Sequence, residues 1–224
     1  MAAELIRDFL QTQGLKLSAD EMNVAYLTVS TVMNMGNASI ERSILWREKG
    51  EVGLCAYIED TAENEAVLKQ VFMALDSVFS RAEQVRSAAV YAAFPSKQEN
   101  GLELVCLAAQ GAPLEQSLPV NDDAGKVFLA ARTALSGWMN VVDDTAYWMT
   151  LGELEGGRNQ SACGQLSIPI SGFDGAVSGV VHVEFSERGC ADETAQKDWA
   201  ALALALIEPV KTLLGQMDKT EEVL

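Results

Sequence analysis

The chain has 224 residues, of which 49% are hydrophobic, enough for one large domain with a substantial core. Its formal charge of −16 excludes a surface that neutralises a run of phosphates and equally disfavours anionic membranes. Four well-separated cysteines with no C-x-x-C pair, and a single histidine, give no basis for a disulfide framework or a structural zinc site.

The first predicted element is a helix over about residues 3–13, with Leu5, Ile6, Phe9 and Leu10 on one side and a stop at Gly14. The N-terminus carries acidic residues and no basic leader before an apolar core. It is not read as a secretion signal, and a cytoplasmic location is expected. "SADE" at 18–21 is a capping box, Ser18 as N-cap and Glu21 at N3. The helix it opens places Met22, Ala25, Tyr26, Val29, Val32 and Met33 at helical spacing and ends near Gly36. "SIERSILWREKGEVGLCAYIED" at 39–60 is predicted as a β-hairpin turning at "REKGE", where Gly50 supplies the positive φ. Residues 1–60 are thus expected to form an N-terminal extension of two helices and a β-hairpin.

Asp60 with Glu63 is predicted to cap a helix whose stripe includes Leu68, Val71, Phe72, Leu75, Val78 and Phe79 and which runs to about Arg86. Two strands follow, "SAAVYAAFPS" and "LELVCLAAQG", then a loop containing Pro113 and Pro119. A short helix over "DAGKVFLAARTALSG" ends at Gly137, and "WMNVVDD" is a strand. "TAYWMTLGELEGGRNQSACG" is a long connection, too polar and Gly-rich in its second half to be one helix.

"CGQLSIPISGFDGAVSGVVHVEF" at 163–185 is predicted as two strands joined by a tight turn. Pro169 lacks an N–H and must lie at a bulge or edge, and Gly179 permits close approach of other backbone. Alternation puts Val181, Val183 and Phe185 on one face. Val180, His182 and Glu184 share the other, expected to be the less buried. The closing helix spans "ADETAQKDWAALALALIEPVKTLLGQM", with a kink or new turn at Pro209. Its apolar run is too short to cross a bilayer and is interrupted by Glu208. Residues 219–224 are expected to form a frayed tail.

From residue 61 onward this order of elements resembles the GAF domain, an α+β fold with an antiparallel sheet flanked by helices. Four stretches carry the resemblance: "LPVNDDAGKVFLAARTALSGWMNVVDD", "GQLSIPI", "GAVSGVVHVEF" and "DETAQKDWAALALALI". It covers about residues 61–216, so the chain divides into an extension, 1–60, a GAF-like domain, 61–218, and the tail.

The resemblance implies a small-molecule pocket between the sheet and the loops on the short-helix side, and homodimerisation through terminal helices. The bilin-binding pattern of a Cys followed by His is absent, since Cys163 precedes Gly164, and the cyclic-nucleotide residues do not occur in order. "SACGQLSIPI" echoes the cysteine loop of the branch that reduces free methionine sulfoxide, but the second loop cysteine is missing. The candidate ligand residues are Trp138, Tyr147, Trp148, Arg158, Cys163 and Gln165. They lie on or beside the longest connection, which mixes aromatic walls with polar groups. Cys163 has no fixed cation beside it to make a reactive thiolate, so no catalytic residue is assigned. The residues name no cofactor. The expected role is a non-enzymatic regulatory module that binds a small molecule or a protein partner in trans; the alternative is a scaffold whose pocket is filled by side chains.

Overall fold

A computed structural model describes residues 2–35, 39–47, 53–97 and 101–215. Its centre is one six-stranded antiparallel sheet in the order β3-β2-β1-β6-β5-β4. The strands are β1 (Val85–Pro95), β2 (Leu102–Gly111), β3 (Ser117–Val120), β4 (Asn140–Val142), β5 (Gly164–Ser171) and β6 (Val177–Phe185).

One sheet face is covered by α4 (Ala62–Phe79), α8 (Glu193–Ala205) and α9 (Ile207–Gly215), with α2 (Ala19–Asn34) laid over α4 and α8 and α1 (Ala2–Thr12) against α2. Ile6, Phe9, Met22 and Val29 from α1 and α2 are buried in the same cluster as Val90, Ile168 and Val183 of the sheet. The other face is covered by the short helices α5 (Asp122–Val127) and α6 (Leu129–Ser136). Among the described residues no helix is long and apolar enough to cross a membrane.

Local signals account for most boundaries. Ser18 accepts the Glu21 N–H at 3.4 Å, as the capping box requires, and Gly137 closes α6 at φ +70° with its N–H on the Thr133 carbonyl. Asp192 caps α8 through the Ala195 N–H at 2.9 Å. The helix breaks at Leu206, and Pro209 falls in the first turn of α9, where its missing N–H costs nothing. Pro169 pairs with Val180 beyond the last β4 partner of β5, Ser167, and so sits where the ladder needs no donor on that side. A Cβ on Gly179 would overlap the Tyr91 carbonyl of β1, so this position needs glycine for close approach.

Other expectations fail. Residues 39–60 do not form a β-hairpin: α3 (Arg42–Leu45) and a 3-10 turn, Leu54–Ala56, stand where its strands were predicted, and most of its turn lies outside the described residues. Leu45, Trp46 and Leu54 are buried in the main core, and burial of short apolar runs does not require strand geometry. The cap of α4 is Thr61, whose hydroxyl accepts the Asn64 N–H at 3.2 Å, while Asp60 pairs with Arg42 instead. The helix ends at Phe79 rather than near Arg86, because Val85 already pairs with Phe185. Pro119 lies in β3, an unpredicted strand at the sheet edge. The helix α2 ends at Asn34, near the expected Gly36, which with the tail 219–224 lies outside the described residues.

The apolar stripe of α4 and the apolar run of α8 and α9 pack into the core of the chain itself. Leu68, Val71, Leu75, Val78, Leu202 and Leu213 are all buried in the core.

Candidate functional site

Alternation on β5 and β6 separates two chemistries. Leu166, Ile168, Ile170, Val181, Val183 and Phe185 face the main core, whereas Gln165, Ser167, His182 and Glu184 point toward the α5–α6 side. The second face is not the less buried one. His182 is 3% exposed and Glu184 1% exposed, because α6 and a 3-10 turn, Gly157–Ser161, close over them.

That turn is held by Asn159. It is fully buried, and its side-chain amide donates to the Val127 carbonyl at 2.8 Å and to the Glu155 carbonyl at 2.6 Å. Gly156, at φ +86°, lets the chain enter the turn. Asn159 also accepts from Gln165 Nε2 at 2.9 Å, which ties the turn to β5.

The preceding residue, Arg158, is thereby aimed at the sheet. Its Nη2 lies 2.7 Å from Glu184 and its Nε 2.7 Å from Glu115, and the guanidinium sits over the Phe128 ring at 5.6 Å. Glu184 further accepts from Ser87 Oγ at 3.0 Å, with Arg86 at 3.4 Å and His182 Nε2 at 3.8 Å. Burial by itself would raise the Glu184 pKa. His182, Arg158 and Ser87 together overturn this and hold it down at about 2, with Arg158 the nearest charge. Tyr91 closes the site from β1, donating to the Glu115 carbonyl at 2.9 Å.

The result is a charge-compensated network, buried at Glu184, His182 and Ser87 and reaching solvent at Arg86, Arg158 and Glu115. The space enclosed by Tyr91, Leu118, Phe128, Leu129, Arg158 and His182 is too narrow for a water molecule. Three buried polar atoms beside it have no hydrogen-bond partner: Gln165 Oε1, Ser167 Oγ and His182 Nδ1. Among the described residues no group of three or more His, Cys, Asp and Glu is arranged to hold a metal ion.

Of the six candidate ligand residues, Arg158 and Gln165 meet through Asn159. Trp148 lies on α7 (Thr145–Thr150), packs against the small cluster of Leu129, Val142 and Leu154, and has Arg132 over its ring at 5.9 Å. Tyr147 on the same helix is 58% exposed, and Trp138 is 54% exposed on the turn before β4. Cys163 is exposed at the entrance to β5, its N–H on the Phe185 carbonyl. Cys106 is buried, which pushes its thiol up to about 11, and burial with Glu187 and Asp192 raises Cys190. Sequence reasoning missed Glu115 and Glu184 as partners of Arg158, and Ser87 as a donor to Glu184. The available signal was a carboxylate among the valines of β6.

No protein-family model and no curated protein matches the sequence. Solved structures do match. A putative GAF sensor protein from Burkholderia vietnamiensis aligns with a TM-score of 0.55 at 14% identity, over 88% of this chain and 98% of its own. The GAF domain from an Acinetobacter phosphoenolpyruvate-protein phosphotransferase gives 0.55 at 13%, over 85% and 94%. A type II free methionine-R-sulfoxide reductase from Thermoplasma acidophilum gives 0.55 at 10%, over 67% and 96%. A putative sensor and a reductase therefore share this architecture, and the likeness speaks for architecture only. The chain has the GAF-like α+β fold.

Proposed function

We propose that the chain is a non-enzymatic regulatory module of GAF type that acts in trans, in the cytoplasm, by binding a protein partner. In this reading residues 61–218 are the GAF-like domain and residues 1–60 an extension packed onto it. The observation that carries the reading is Arg158: bridging Glu115 and Glu184, it fills the space between the sheet and the short helices with the protein's own side chains. A homodimer built on the terminal helices would use the outer face of α2, where Val24, Leu27 and Met35 are exposed. A native mass spectrum of freshly purified protein should give the mass of the polypeptide without a small molecule. A retained small molecule would overturn the filled-pocket reading.

A second reading, a sensor for a small polar molecule, is supported by the unpartnered Gln165, Ser167 and His182 atoms. The molecule would displace Arg158 and be walled by Trp148, with Trp138, Tyr147 and Cys163 toward the outside. The thiol-reductase reading is disfavoured by Cys106, whose burial suppresses the thiolate a resolving cysteine needs. Assayed with free methionine-R-sulfoxide and a dithiol reductant, the protein should show no turnover; turnover abolished by Cys163→Ser would establish the enzyme instead.

A further inference from the structure

Two clefts on the face of α1 meet at the β5–β6 turn. One, of about 380 Å³, lies between α1, Tyr26 of α2 and the start of α9, with Leu204 and Ile207 in its wall. The other, of about 240 Å³, continues along α1 to Gly137. Both are lined by Leu5, Gly172, Phe173 and Asp174, so the two clefts adjoin at the β5–β6 turn, the first mainly apolar and the second mixed. Ala2, Leu5, Phe9 and Thr12 line them from α1 at helical spacing. Together they make a groove that follows the whole helix, about 16 Å for its 11 residues.

Two large aromatic side chains stand at this surface without cover. Phe173 is 59% exposed, and Trp138, next to Gly137 at the far end, is 54% exposed. Trp138 is held in place from both sides, because Gln13 at the end of α1 binds the Gly137 carbonyl at 2.9 Å and the Met139 N–H at 2.6 Å. An exposed tryptophan whose flanking backbone is pinned, at the end of a cleft, fits a protein-binding hot spot. The charged groups of the lining are Asp8, Asp174, Glu208 and Lys211, and Lys211 is already paired to Asp174 at 3.2 Å. The rim thus presents excess negative charge on a chain that carries −16 overall. A second copy of the chain would bring its own negative charge against this rim, which electrostatic complementarity disfavours.

We propose that the groove between α1, α9 and the β5–β6 turn docks a cationic amphipathic helix of another protein, its apolar side on Ala2, Leu5 and Phe173 and its Lys or Arg residues toward Asp8 and Glu208. The proposal rests on the protein-binding reading above and assigns it a surface and a partner chemistry. The mode is a helix laid in an apolar groove, with anchors every three or four residues.

The test uses the full chain and a fluorescein-labelled Leu/Lys peptide of about fourteen residues, roughly four helical turns, read by anisotropy. Saturable binding is expected, weakening with salt. Phe173→Ala, and separately the pair Asp8→Lys with Glu208→Lys, should each weaken it by about tenfold or more. Leu102→Ser, at the exposed start of β2, should leave it unchanged. A peptide of the same composition without helical patterning should bind about tenfold more weakly. The charge-reversal pair lies on exposed positions and keeps the test decisive if Phe173→Ala does not fold. Groove variants that bind like the unaltered chain, or equal binding of the unpatterned peptide, would overturn the proposal. So would sedimentation showing self-association that Phe173→Ala abolishes, since a second copy would then be the occupant. A small molecule in the native mass spectrum with groove-dependent peptide binding intact would sink the filled-pocket reading alone. A ligand-free spectrum with groove-independent binding would sink this proposal alone.

Discussion

The two faces of the central sheet are made by alternate residues of the same strands, yet they are held by different forces. Toward α4, α8 and α9, Leu166, Ile168, Val181 and Val183 are fully buried among other apolar side chains. Toward α5 and α6, Gln165, Ser167, His182 and Glu184 are just as buried, but their neighbours are Arg158, Asn159, Ser87 and Glu115. Burial alone therefore does not tell a reader what a strand residue does. The apolar face is stabilised by area and packing, with little dependence on pH. The polar face is stable only while each buried charge keeps its partner.

Breaking the polar face should give the largest effect. Arg158→Ala leaves Glu184, 1% exposed, without its nearest counter-charge and should cost about 3–5 kcal/mol in urea denaturation. The same network predicts an acid limb. The folded Glu184 pKa of about 2 lies below its ordinary 4.5. Its contribution is therefore complete above about pH 4.5 and is lost as pH falls toward about 2, amounting to about 3 kcal/mol in all. In Arg158→Ala this part of the stability profile should become shallower, His182 and Ser87 keeping the rest; an unchanged acid limb would show that Arg158 does not help keep Glu184 ionised.

The matching cut on the apolar face is Ile168→Ala, expected to cost about 3 kcal/mol through lost burial and a cavity. Here the acid limb should be retained in full. If it shifts, the two faces are coupled through β5 and the comparison breaks.

The smallest effect sharpens the comparison most. Ser167 Oγ is buried without a partner, so Ser167→Ala should change stability by less than about 1 kcal/mol, in the stabilising direction. A loss larger than that would mean that a water or a small polar molecule uses the hydroxyl, and would favour the sensor reading over the filled pocket.

Several elements were legible because their signals are local. The Ser18–Glu21 box, the Gly137 stop, the edge position of Pro169 and the close approach at Gly179 each depend on one residue and its neighbours. The failures share a different cause. "RSILW" and "GLCAYI" are short apolar runs that fit a strand or a helical turn equally well, and contact with the core selected helix. Pro119 reads as a loop residue until the sheet order makes β3 an edge strand, where a missing N–H is tolerated.

The same division runs through the candidate site. Sequence by itself determined that His182 and Glu184 share a face and that Arg158, Asn159 and Gln165 lie near one another along the chain, because strand alternation and chain proximity are local properties. Only the tertiary structure decided that this face is buried and that Arg158 reaches both Glu184 and Glu115, 26 and 43 residues away. It likewise decided that Trp138 and Tyr147 are more than half exposed. Those outcomes depend on where the 157–161 turn comes to rest against the sheet. Asn159 fixes that position through contacts with Val127 and Gln165, and a long-range contact of this kind leaves no periodic trace in the sequence.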